Sequence, residues 1–355
     1  MKISMRIVGV SAIALALCGC GGSEKVAAGY SPKVADGAAL AIGFNQQQIT
    51  AVQERLLGEK AKEVSSSLMK SVPEELADVI KKAGLEDAKV RWGVVSVGEP
   101  KMTKEMDLDG VPEVMVAVSL DIDIEKAVAA FREQLKKEDG EEIKETAVAG
   151  VKAWVVSDKD LEKQKVSPSF TALDGKLFLG ASTTASLEKL VLLYRDGKGQ
   201  SAAFSSFALP ADSLVRLVVT DIGARVKKAI PDTEETLKIV SQFVPNGDKM
   251  VLALGTLDFS ATSAKDGGVA LKLALKTGSE KDADQLRTLA KTGLMPITAQ
   301  MKEAAKEDAD SKVYAELLEA LKIAGADGIF EANITVPEAL LKSLAEKQLK
   351  ELGDK

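Results

Sequence analysis

Val269, Leu271, Leu273 and Leu275 alternate with Ala270, Lys272, Ala274 and Lys276. That period of two predicts a strand with one buried and one wetted face. Asp266-Gly267 just before it predicts a tight hairpin with the strand that precedes. Ser279, with Asp282 three residues on, then opens a helical pattern through Ala283, Leu286 and Leu289. A strand over Ile329–Val336 and a helix over Leu340–Leu349 close this stretch.

The same series occurs earlier in the chain. Ala35 to Asn45 reads as a strand ending in a helix-capping residue, as does Ala211 to Asp221, 176 residues later. A second helical stretch follows in both places, over Pro73–Ala83 and Thr233–Phe243. A strand pair comes next, the first pair with Asp109-Gly110 in its longer connection. A helix through Val128, Phe131 and Leu135, a strand at Leu177–Ser182 and a helix at Leu187–Tyr194 complete the first copy. The shared order β-α-β-β-α-β-α predicts an α+β fold of two related βαββαβ-like, ferredoxin-like units, with antiparallel sheets and helices on one face. The competing reading is two unrelated α+β domains. Extra strands are expected in the first unit (Glu142–Val148, Lys152–Asp158, Ser169–Leu173) and extra helices in the second (Leu294–Ala324). The expected units are residues 36–205 and 206–355.

In the second unit the non-core strand positions include Arg216, Asp258, Lys272, Glu331 and Asn333, which suit water. In the first they include Ala41, Gly43, Val95, Met115 and Ala117, small and mostly apolar. Such a surface is unusual in solvent. The expectation is a covered face, closed by the extra strands, by the second unit, or by a ligand or partner.

The N-terminus carries a different pattern. Lys2 and Arg6 precede an apolar run, Ile7 to Leu17, too short for the roughly 20 residues that span a bilayer. The run ends Leu17-Cys18-Gly19-Cys20, which resembles the lipobox of bacterial lipoproteins. The resemblance covers the N-terminal signal alone. It implies a signal peptide over residues 1–19, lipidation of Cys20, and an exported protein held to the membrane by that lipid. Gly21 after the cysteine implies the outer rather than the inner membrane. Gly21 to Ala35 has no apolar period and is expected to be a flexible tether, making 20–35 the acylated linker. The competing reading is an ordinary signal cleaved after Val26-Ala27-Ala28.

Composition narrows the function. The 355 residues include no histidine, and both cysteines fall in the first 20. Imidazole catalysis, imidazole metal ligation and a disulfide within the body are therefore excluded. Removing Lys2 and Arg6 with the signal leaves 45 basic against 53 acidic residues, a formal charge of −8. An acidic chain with 4% aromatics is a poor match for nucleic acid.

Catalytic motifs are fragmentary. Ser67-Leu68-Met69-Lys70 has the Ser-x-x-Lys form of penicillin-binding proteins and serine β-lactamases, and Lys276-Thr277-Gly278 supplies a Lys-Thr-Gly. No Ser-x-Asn or Tyr-x-Asn accompanies them. Both motifs recur, at Ser186–Lys189 and Lys291–Gly293, so they carry little information, and Ser67 and Lys70 read as polar-face residues of a helix. Glu105, Asp107, Asp109 and Gly110 resemble the opening of a calcium loop, but Val116 stands where the bidentate glutamate belongs. Asp121, Asp123 and Glu125 could pair as carboxylates, although Asp123 is explained as a helix cap. Asn333-Ile334-Thr335 fits a glycosylation sequon inside an expected strand. No dinucleotide or phosphate loop occurs. No catalytic, cofactor or metal residues are assigned and no cofactor is expected. The expected function is a non-enzymatic binding or structural role in the cell envelope, with an unidentified protein or apolar ligand as partner. A periplasmic carrier of an apolar or lipid ligand is the alternative, and a histidine-free hydrolase the third reading.

Overall fold

The computed structural model describes residues 30–58, 60–61, 81–82, 90–99, 111–120, 123–135, 142–157, 161, 163, 166–229 and 247–353. The fold is mixed α+β, with a large antiparallel sheet and eight helices among the described residues. It divides into two compact units, the first running to Ala211 and the second starting at Asp212.

Unit 1 holds β1 (Ala38–Asn45), β2 (Val90–Gly98), β3 (Val114–Leu120), β4 (Glu142–Val148), β5 (Val151–Ser157), β6 (Ser169–Leu173) and β7 (Leu177–Ala181). Their order is β1-β2-β3-β7-β6-β5-β4, with antiparallel neighbours. Among the described residues its helices include α1 (Gln46–Leu57), α2 (Ile124–Leu135) and α3 (Thr184–Asp196). Asn45 caps α1, its side chain accepting from Gln48 N, and Thr183 caps α3 in the same way through Ser186 N. Tight turns set the register of the added strands. Ala149 and Gly150 both take positive φ between β4 and β5, as do Asp174 and Gly175 between β6 and β7.

Unit 2 holds β8 (Ser213–Val219), β9 (Leu257–Ser263), β10 (Val269–Lys276), β11 (Lys322–Ala324) and β12 (Ile329–Val336), in the order β11-β12-β10-β9-β8. Its helices are α4 (Ile222–Ala229), α5 (Gly247–Leu252), α6 (Glu280–Ala304), α7 (Ala309–Ala320) and α8 (Glu338–Gly353). The β9–β10 hairpin turns at Asp266-Gly267, where Gly268 N donates to Asp266 Oδ1 and Gly267 takes a φ of 86°. The expected extra helices are present as the C-terminal half of α6 and as α7. Lys322–Ala324, expected as the end of that helical stretch, is instead an edge strand on β12.

Two features of the expected fold are corrected. A split βαβ arrangement seats another strand between the first two, but β1 pairs directly with β2. Main strands follow chain order in both units, β1-β2-β3-β7 and β8-β9-β10-β12. Element order is set by local pattern, whereas a connection as long as residues 46–89 permits either pairing. The second correction concerns the helices of unit 1, which lie on both faces of its sheet. Leu187, Leu190 and Val191 of α3 pack with Met115, Ala117 and Leu179. On the opposite face Lys152 lies over the Trp154 ring and pairs with Glu125 of α2 at 2.6 Å. Burial on both sides explains why β3 and β7 are nearly continuous apolar runs.

Candidate functional site

Four of the five small-face positions expected in unit 1 share a common surface. Ala41 lies opposite Ser96, Gly43 opposite Val94, Met115 opposite Ala181, and Ala117 opposite both Val94 and Leu179. Val95 lies opposite Ile42 and Val116 and therefore belongs to the other face. The shared face is sealed from within unit 1. Leu187, Leu190, Val191 and Tyr194 of α3 cover its centre. Phe207 and Leu209 cover β1 so closely that a Cβ on Gly43 would stand 2.8 Å from the Phe207 ring. Small residues here admit a helix and two large side chains, so the surface is core and not a ligand face.

The best-formed polar cluster sits where β3 begins and α3 starts. Ser186 Oγ donates to Glu113 Oε1 at 2.6 Å, and Lys189 Nζ donates to the same oxygen at 2.8 Å. This is the second Ser-x-x-Lys of the sequence, and a carboxylate binds both its members. Burial acts to raise the Glu113 carboxyl, but hydrogen bonds from Lys189 and Ser186 and the charge of Lys189 outweigh it, so its pKa lies below the usual carboxylate range. An ionised carboxylate of low pKa is a weak proton acceptor for serine activation. Ser186 is 1% exposed. The cluster is built as a lock between β3 and α3.

Other candidate residues are placed as structural groups. Thr277 of Lys276-Thr277-Gly278 donates Oγ1 to the carbonyls of Ser279 and Gly328, fastening the β10–α6 junction to β12. Lys291-Thr292-Gly293 lies inside α6. Asp123 caps α2, accepting from Lys126 N at 3.1 Å. Asn333 pairs with Lys272 and Lys322 within the sheet. Cys20, Ser67, Lys70, Asp121 and the Glu105–Gly110 stretch lie outside the described residues. Among the described residues no cluster of acidic side chains is arranged to hold a metal.

Unit 2 presents two contrasting sheet faces. Arg216, Asp258, Lys272, Glu331 and Asn333 share one, tied by a bidentate Arg216–Asp258 pair and a Lys272–Glu331 contact, each 2.6 Å at its shortest. Val215, Leu217, Phe259, Leu271, Leu273 and Ile334 share the other and stay partly accessible. Leu289, Ile297, Tyr314 and Leu344 on its helices are exposed, and Met295 is 70% exposed. These outward apolar side chains on α6, α7 and α8 were not legible as such, because the long α6 pattern carries apolar residues on more than one face.

An aromatic cluster also escapes the sequence pattern. Tyr194 stacks on Trp92 and meets Tyr30 edge-on. Its hydroxyl accepts from Lys33 N and donates to Lys33 O. Burial pushes the Tyr194 phenol far above its ordinary pKa.

Comparison with known proteins finds no matching family model, no matching curated protein and no matching solved structure. Among the described residues no helix is long and apolar enough to cross a membrane.

Proposed function

We propose that this chain is a lipoprotein of the cell envelope, anchored through acyl chains on Cys20 and serving a non-enzymatic binding or structural role, with the outer membrane as its site. Its two units are duplicates of one β-α-β-β-α-β-α plan, unit 1 enlarged by a hairpin and a third strand and unit 2 by a helical pair. What supports the reading is the N-terminal sequence itself, the charged start and short apolar run ending in Leu17-Cys18-Gly19-Cys20. The linker expected over 20–35 is shorter than that, because residues 30–36 are built into unit 1. The tightness of the unit 1 core and the Ser186–Glu113–Lys189 lock support a mounting role for that unit. Two or three acyl chains give stable attachment, each buried CH₂ contributing about 0.8 kcal/mol. Detergent phase partition tests it: the parent enters the detergent phase and Cys20→Ala remains in the aqueous one. Equal partition of both refutes the anchor.

A carrier of an apolar ligand is the second reading, favoured by the partly accessible Leu217–Phe259–Leu273 face of unit 2. Native mass spectrometry of an acyl-free Cys20→Ser chain separates the two. Bound lipid supports the carrier, and a bare chain supports the structural role.

A further inference from the structure

Residues 288–301 of α6 include one charged side chain, Lys291, in a chain that is 28% charged. Ala290, Leu294, Thr298 and Met301 are the half-buried positions of this stretch, on the side where α6 meets α7 and the strands β11 and β12. Every other position from Thr288 to Gln300 is exposed. Leu289, Gly293 and Ile297 follow one another at successive turns down the outer side, an uncharged ridge of i, i+4 spacing. Lys291 lies on the far side of the helix from that ridge. The charges at its two ends are already paired within unit 2, Arg287 with Glu280 and Asp284, Lys302 with Glu319, and Glu303 with Lys306. Gly293 has no explanation inside the fold. Its backbone is ordinary helix, where glycine costs stability relative to alanine, and nothing beyond its own turn of helix comes within 4 Å of where a Cβ would stand. Pro296 then removes the N–H that would reach the Thr292 carbonyl. A helix face meant only for solvent needs neither residue.

We propose that this ridge is a contact between two copies of the chain, which cross α6 on α6, antiparallel, with the two-fold axis at Gly293. That symmetry sets glycine against glycine, where two bare backbones approach closely, and seats Leu289 of each copy against Ile297 of the other. The large side chains stand four residues to either side of the glycine. A two-fold contact requires such symmetry of a single strip of sequence, and an unrelated partner does not. Charge points the same way. The chain carries a formal −6, so two copies repel across most of their surface, and the neutral ridge lets them meet without opposing like charges. The crossing engages about three turns of each helix, which puts it at the low end of specific interfaces, under about 1,200 Å². The dimer is accordingly weak and reversible. It does not depend on the Cys20 anchor.

Sedimentation equilibrium of the full mature chain, made acyl-free by Cys20→Ser, reads the dimer from micromolar to near-millimolar protein. Monomer at the dilute end and a growing dimer at the concentrated end are expected. Gly293→Leu fills the space at the axis and should weaken association at least about tenfold. Its Tm, measured on dilute monomer, should hold or rise, because leucine is the better helix former. Ile297→Glu should abolish association, and Lys291→Ala, on the far side of the helix, should leave it unchanged. A chain that stays monomeric throughout overturns the proposal. So does a dimer that Gly293→Leu leaves as tight or tighter, the result that general stickiness would give, or one that Lys291→Ala weakens equally. Binding of the acyl-free chain to phosphatidylethanolamine–phosphatidylglycerol vesicles, lost in Ile297→Glu, would assign the ridge to lipid and overturn it as well.

Discussion

The indole of Trp92 donates to the backbone carbonyl of Tyr30 across 62 residues of chain, at 3.2 Å. The same ring stacks on Tyr194, so one side chain ties the entering segment to both the sheet and α3. Trp92→Phe keeps an aromatic face but removes the donor and leaves the Tyr30 carbonyl with one partner fewer. Urea unfolding should show a loss of about 1 kcal/mol. No loss would mean the hydrogen bond contributes nothing to holding residues 30–36.

Ala117 and Lys272 contrast the sealed face with the wet one. Ala117 is buried under α3, whereas half of the Lys272 side chain meets solvent beside Glu331. Ala117→Arg should cost more than about 3 kcal/mol, because it forces an unpaired charge into a packed core. Lys272→Ala should stay within about 0.5 kcal/mol, as exposed ion pairs contribute little. Equal and small effects in chemical denaturation would contradict the face assignment.

The Glu113 lock predicts a pH dependence of stability. Its folded pKa lies below the ordinary 4.5, so its contribution is complete above that value and is lost as pH falls through the lowered one. Glu113→Gln should therefore lower Tm at pH 7, and the gap to the parent should narrow steadily below pH 4.5. A gap independent of pH would show that Glu113 acts through packing and not through its charge. Ser186→Ala, which removes the second donor, should cost about 1–2 kcal/mol at neutral pH.

How far these positions could be read beforehand depended on whether the local pattern distinguishes one phase from the other. In β10 every second residue is Val or Leu, and lysines mark the other face, so strand and faces follow from the sequence. In β2, Gly93, Val94, Val95 and Val97 are apolar or small in both phases, which is why Val95 joins the face opposite Ala41. An irregular register at Val90–Trp92 adds to that loss of phase. Strand order depends on long-range pairing that no short window contains. Residues 30–36 have no apolar period because a few specific contacts fix them: Tyr30 with Asp174, Lys33 with Tyr194, Val34 with Ser201. The Ser-x-x-Lys at Ser186 could be seen, but its partner Glu113 lies 73 residues away.

Met295 and Ile297 project from α6 and should be dispensable for folding. Replacing both with serine should move Tm very little, since exposed substitutions typically fall within about 0.5 kcal/mol. The same change should reduce binding of a hydrophobic dye if these residues form the apolar surface of unit 2. A marked fall in Tm would place them in the core.

Lipidation of Cys20 decides whether the chain is anchored, and the intact mass of the protein recovered from the membrane fraction reads it. The expected mass is that of a chain beginning at Cys20 plus a diacylglyceryl group, with or without a third acyl chain on the new amino terminus. Cys20→Ala should carry no lipid mass. An unmodified mature chain, or one beginning after Ala28, would contradict the anchored lipoprotein.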